Sequence, residues 1–214
     1  MTSADEPTTT QAEQPATVVT STPHAAATWV SATAALTAIP AVAVAAYGNA
    51  TLALQVEIPA CHLGWTTLAA IGAVESGHGT HGDSHLDADG RAVPPIVGPA
   101  LDGEGFAAIA ATPWSTSLTG DPTWDHAVGP MQFLPSTWQR SGADGDGDGV
   151  ADPQDVDDAA LAAARYLCAG DRDLATGVGW HAAVLSYNHS DAYVAQVLAI
   201  ADGYTAAAQG SAGS

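Results

Sequence analysis

Lysine is absent from the 214-residue sequence and arginine occurs only four times, against 23 acidic residues, so the formal charge is −19 at pH 7. A surface that negative repels phosphate backbones and has no basic stripe to offset it, so nucleic acid is not an expected partner. Cysteine is confined to Cys61 and Cys168, too far apart for a local metal knuckle or a CxxC redox pair. Two readings of the pair stay open: one long-range disulfide in an oxidising compartment, or two buried thiols. Both residues flank expected helix ends, where a staple is useful, and a Cys61–Cys168 disulfide would place the protein outside the cytoplasm, in the cell wall or secreted. No long apolar run is clean enough to span a membrane: Ala25 to Ala46 is interrupted by Pro40 and by several Thr and Ser. Met1 to Thr22 shows neither a positive n-region nor an apolar h-region, so no export signal is read there.

What the chain has in abundance is alanine, which supplies much of its 47% hydrophobic content. The length suits one domain. Residues 1–24 are polar and of low complexity and are expected to form a disordered tail, with the globular domain over 25–208 and a flexible C-terminus over 209–214. Apolar periodicity predicts helices at Thr28–Ile39, Ala41–Leu54, Gly64–Ser76, Val156–Cys168, Val178–Tyr187 and Ala192–Ala208, with a short one at Pro135–Arg140. No strand alternation persists, so the expected fold class is all-α. Between Gly77 and Asp125 lies a long stretch rich in Gly, Pro, Asp and Thr, a candidate cleft wall.

The segment Asp144-Gly-Asp146-Gly-Asp148-Gly149-Val150 has the opening of an EF-hand loop. Carboxylates at its first, third and fifth positions converge on one hard cation, glycine at the sixth allows the sharp turn, and Val150 offers a backbone carbonyl. The usual closing Glu is replaced by Asp155, one methylene shorter, so the last ligand is either Asp155 or, in an expanded loop, Asp158. The expectation is a structural Ca2+ on Asp144, Asp146, Asp148, Val150 and Asp158, with no organic cofactor.

Glutamate is scarce. Outside the tail it occurs at Glu57, Glu75 and Glu104. Glu75 ends the apolar helix Thr67–Val74 and is followed by Ser76-Gly77-His78-Gly79, where the chain opens into the glycine-rich stretch. Helix C-terminal carbonyls and apolar neighbours disfavour its charge, which suits a general acid working near neutrality.

Four motifs occur in order: Glu75-Ser-Gly-His-Gly79, Gly129-Pro-Met-Gln-Phe-Leu-Pro-Ser-Thr-Trp138, the Asp-Gly loop, and Ser186-Tyr-Asn-His-Ser190. This order resembles the lytic murein transglycosylases of the membrane-bound type B group, within the SLT domain family. Alanine-rich actinobacterial members are the most similar in character. The resemblance covers roughly residues 28–205 and implies a lysozyme-like helical domain. It implies cleavage of the β-1,4 bond between N-acetylmuramic acid and N-acetylglucosamine in peptidoglycan, with 1,6-anhydromuramoyl products. Glu75 would be acid and then base, and Gln132, Tyr166, Tyr187, Asn188, Tyr193 and Met131 would form the substrate cleft. The partner is then the peptidoglycan glycan strand, met by a monomer with no membrane span.

Three rival readings exist. A lysozyme-like hydrolase would recruit a second carboxylate from Asp83, Asp87, Asp89, Asp102 or Glu104. A calcium-stiffened wall-binding module would leave Glu75 incidental. Zinc on His78, His81 and His85 requires a helix that Gly77, Gly79 and Gly82 oppose, and no HExxH is present.

Overall fold

The computed structural model describes residues 23–105 and 107–210. Most of the expected N-terminal tail and of the expected flexible C-terminus lies outside these residues. Eight α-helices, among the described residues, build the core: α1 (Ala27–Thr37), α2 (Ala41–Glu57), α3 (Trp65–Ser76), α4 (Pro113–Thr119), α5 (Pro135–Ser141), α6 (Val156–Leu167), α7 (Gly177–Tyr187) and α8 (Asp191–Gln209). Pro40 separates α1 from α2 because it cannot continue a helix, and Ala38 caps α1 in the left-handed region at φ 57°.

The centre of the molecule is α2 packed on α6, with α3 on α8. The contact faces are dominated by small residues: Ala43, Ala46 and Ala50 from α2, and Ala159, Ala160, Ala163 and Ala164 from α6, all buried. Side chains this short let helix axes approach closely, and Leu54, Leu68, Ile71 and Leu167 fill the remaining volume. A 3-10 turn at Pro59–Cys61 follows α2, and Cys61 is bonded to Cys168 at the end of α6, with their Cα atoms 5.5 Å apart. That bond closes a loop of 107 residues, which in the chain-entropy picture raises the free energy of the unfolded chain by about 4–5 kcal/mol.

The expectation of a chain without sheet needs correction. Two small antiparallel pairs fold within and just beyond the supposed irregular stretch: β1 (His85–Leu86) with β2 (Ala92–Val93), and β3 (Val97–Ala100) with β4 (His126–Val128). Strands of two to four residues are too short for a period-2 pattern to register. Helix α4 was also missed. Its start is a reciprocal cap, in which Thr112 Oγ1 accepts from the Ser115 amide and Ser115 Oγ accepts from the Thr112 amide.

The β1–β2 hairpin is clamped to the segment just after the Asp-Gly loop. Arg91 pairs with Asp152, the Ala92 amide donates to the Gln154 carbonyl at 2.9 Å, and the Val156 amide donates to Gly90 at 3.0 Å. The Gln154 side chain accepts from the Ile96 amide at 2.8 Å and donates to the Ile96 carbonyl at 2.9 Å. Gly129 fits against the same segment so closely that a Cβ would stand 1.6 Å from the Pro153 carbonyl oxygen. The hairpin, the Gly129 turn and the segment after the Asp-Gly loop are therefore one connected unit.

Candidate active site

Glu75 sits on the last turn of α3, which ends because Gly77 takes the left-handed conformation at φ 59° and returns its amide to Ala73. His78 and Gly79 follow at φ 62° and 80°, so the chain turns sharply away and leaves the carboxyl only partly covered. Burial raises its pKa to about 7, against the opposing pull of a hydrogen bond from Tyr193, whose hydroxyl donates to Glu75 Oε1 at 2.6 Å. Tyr193 lies at the start of α8, whose N-cap Ser190 accepts from its amide. The carboxyl is thus held by one hydroxyl and flanked by apolar mass.

The next motif is tied directly to this helix end. Ser76 Oγ donates to the Pro130 carbonyl at 2.6 Å and accepts from the Gly79 amide at 2.8 Å. Gln132 adopts φ 48°, rare for a side chain of its kind, and its Nε2 donates to the Gly129 carbonyl at 3.0 Å. Such a conformation at a motif beside an acid marks a position worth its strain. Gly98 leaves room for the Gln132 amide, since a Cβ there would lie 2.6 Å from Oε1.

Tyr187 donates to the Met131 carbonyl at 2.7 Å, and burial together with the negative field of Glu75 holds its own proton firmly in place. Its ring meets Phe133 at 5.9 Å and Tyr166 at 5.8 Å, both edge-on, and Tyr166 donates to the Ser186 carbonyl at 3.0 Å. Asn188 is exposed at the end of α7. Met131, expected in the cleft, has no exposed side chain at all; it is a core residue beneath Gly72, and its carbonyl is what anchors Tyr187.

His78 also turns inward. Its Nδ1 meets the Tyr47 hydroxyl at 3.1 Å and its Nε2 the Tyr204 hydroxyl at 2.8 Å, and burial lowers its pKa to about 4. It is a neutral strut between α2 and α8 behind Glu75, while His81 and His85 are exposed. Nothing in the sequence motif signalled this Tyr47–His78–Tyr204 chain, because its members come from three distant segments. Of the carboxylates proposed as a hydrolytic partner, Asp87 and Asp102 instead accept amides of their own turns.

In the Asp-Gly loop, ligand atoms of Asp144, Asp146 and Asp158 come within 4.8 Å of one another. Asp158 is 2% exposed and accepts from the Gly145 and Asp152 amides. Asp155 is committed elsewhere as the N-cap of α6, accepting from the Asp157 amide. Asp148 lies outside the converging trio and accepts from the Val150 amide at 2.7 Å.

Residues 115–181 match the family model of the transglycosylase SLT domain. The match holds Gln132, the Asp-Gly loop and Tyr166, and stops short of Glu75, Tyr187, Asn188 and Tyr193 on either side. It supports a likeness to the peptidoglycan lytic transglycosylases, and the mostly helical architecture agrees with that likeness. No curated protein and no solved structure matches the chain.

Proposed function

We propose that the protein is a peptidoglycan lytic transglycosylase with a lysozyme-like core, of the membrane-bound type B kind, in which Glu75 is the acid and then the base. The observation that carries this reading is a part-buried carboxyl at a helix end, its pKa raised to about 7 by burial and one oxygen held by the Tyr193 hydroxyl at 2.6 Å. Glu75 donates its proton to the glycosidic oxygen between N-acetylmuramic acid and N-acetylglucosamine as the C1–O bond breaks. The resulting carboxylate then takes the proton of the muramoyl C6 hydroxyl while O6 bonds to C1, closing the 1,6-anhydro ring. The nucleophile is part of the substrate, so neither a positioned water nor a covalent partner is required, and its effective concentration is high.

Tyr193 occupies Oε1, which leaves the other oxygen to carry the mobile proton. Gln132, Tyr166, Tyr187 and Asn188 line the path on which the sugars lie, with Tyr187 fixed through the Met131 carbonyl. The loop carboxylates of Asp144, Asp146 and Asp158 form a hard-oxygen set that suits Ca2+, with Asp148 and the Val150 carbonyl as further ligands. A Ca2+ held by these residues would neutralise their charge and would take no part in the reaction. The disulfide and the substrate together favour a site of action outside the cytoplasm, in the wall or secreted.

Mass spectrometry of products released from purified sacculi tests the reaction. Anhydromuramoyl ends are expected. Reducing muramic acid ends would make the protein a hydrolase, and the absence of any release would make it a binding module.

A further inference from the structure

We infer that the concavity walled by Arg140, Ser141, Gly142, Arg165, Tyr166 and Ala169 binds a carboxylate of the peptide that branches from the muramoyl sugar. This rests on the reading of Glu75 given above and adds a second contact to the same substrate.

The argument starts from the scarcity of cations. Of the four arginines, Arg91 is committed to Asp152, and Arg165 gives Nε and Nη2 to the two oxygens of Glu57 at 2.9 and 2.7 Å. Arg172 donates to the carbonyls of Tyr166 and Leu167 at the end of α6, at 3.3 and 3.4 Å. Arg140 alone has no ion-pair or hydrogen-bond partner among the described residues. In a chain with a charge of −19, an arginine that meets no carboxylate is conspicuous. Arg140 and Arg165 both line this hollow, and with Arg165 paired to Glu57 the charge left to it is that of Arg140.

The hollow measures 360 Å³. Arg140 offers a planar fork of N–H donors, and the Ser141 hydroxyl beside it is likewise unpartnered among the described residues. Arg165, already neutralised by Glu57, forms wall rather than charge. Position links the hollow to the acid. Tyr166 forms one side of it, and its ring stands edge-on to Tyr187, whose hydroxyl is bonded to the Met131 carbonyl, next to the Pro130 carbonyl that holds Ser76 beside Glu75.

The sugar backbone of the substrate carries no free charge where the lactyl group is amide-linked to peptide. The carboxylates that arrive with it are therefore on the peptide branch. An acidic protein approaching an acidic polymer gains most from one local cation placed where that branch hangs.

The test compares the wild-type protein with Arg140→Gln and Arg140→Lys on two substrates: glycan strands bearing peptides, and the same strands stripped of peptide by an amidase. Arg140→Gln is expected to raise KM about tenfold on peptide-bearing strands, the worth of one charge-assisted hydrogen bond, with kcat unchanged and stripped strands unaffected. Arg140→Lys should restore part of the loss. In parallel, N-acetylmuramoyl peptide is titrated into the Glu75→Gln protein while the Arg140 side-chain Nε–H resonance is followed by NMR, and a saturable shift is expected. Equal effects on both strands, or no shift, would overturn the proposal and leave Arg140 as a cap on the end of α5. If wild-type protein cleaves neither strand while the resonance still shifts, the transglycosylase reading falls and the carboxylate site stands.

Discussion

Helices α2, α3 and α6 bury small apolar side chains against one another, whereas the segment that follows α3, from Gly77 to Asp155, is held largely by carboxylates and carbonyls that accept backbone amides. Asp87, Asp102, Asp121, Asp144, Asp148 and Asp152 all close turns of this second region by accepting nearby N–H groups. The first region draws its stability from area removed from water and from one covalent staple. The second draws on hydrogen bonds worth about 1 kcal/mol each, made by groups whose charge is left partly uncompensated. An apolar helix end therefore carries Glu75, and a polar, turn-rich segment follows it in the chain. The division also explains why the clamp through Gln154 and Arg91 matters: it is where the polar wall is fastened to α6.

The comparison can be broken first at the acid. Glu75→Gln should lower the rate of anhydromuramoyl release by about 10²- to 10⁴-fold while leaving the melting temperature unchanged or slightly raised, read by product assay and thermal scan. Glu75 has a raised pKa in the folded protein, so its ionisation during a rise from about 4.5 to about 7 works against folding, and the amide avoids that cost. A melting temperature lowered by many degrees would show instead that the acid is part of the scaffold.

The second cut is at the staple. Replacing Cys61 and Cys168 together by alanine should lower the melting temperature by on the order of 10 °C, from the lost 4–5 kcal/mol of loop closure. Hydrogen exchange should speed up in α2 and α6, with little change in the β1–β2 hairpin relative to them.

The third acts on the polar wall. Saturating calcium, at about a hundred times its Kd, should stabilise the protein by about 2.7 kcal/mol, or roughly 5–10 °C in melting temperature. Exchange protection should rise most over residues 87–96 and 144–156, the two sides of the clamp. Protection confined to 144–150 would show that the hairpin is not coupled to the loop.

The smallest effect sharpens the link between the regions. Tyr193→Phe removes the hydrogen bond that favours the ionised Glu75, so its pKa should move up from about 7. The proton needed for the first step is lost as pH rises through that value. The alkaline limb of the kcat/KM profile should therefore shift to higher pH, and an unmoved limb would separate Tyr193 from the titrating group.

Much of the helical half was legible from periodicity and punctuation. Pro40 and Gly77 fall where helices begin or end, and Glu75 stood out because glutamate is rare and an apolar helix ends there; the cap made by Asp155, expected as a possible cation ligand, appears only in the structure. The short strands and α4 were not legible, since two to four residues carry no period and α4 is announced by a Thr-to-Ser cap rather than the commoner Thr-to-Glu form. Met131 was expected in the cleft with Gln132 on the strength of the family resemblance, and it is wholly buried. Only the left-handed turn at Gln132 shows that the two side chains part company.

The amino-acid sequence by itself determined the helical core and the anionic surface and singled out Glu75 as the candidate acid, because periodicity, charge count and residue scarcity are local or additive quantities. The tertiary structure alone decided which oxygen of Glu75 is held, that Asp158 rather than Asp155 meets Asp144 and Asp146, and that His78 is a strut. Each of these depends on groups distant in the chain being brought within a hydrogen bond's length, and no pattern of neighbours along a sequence encodes that distance.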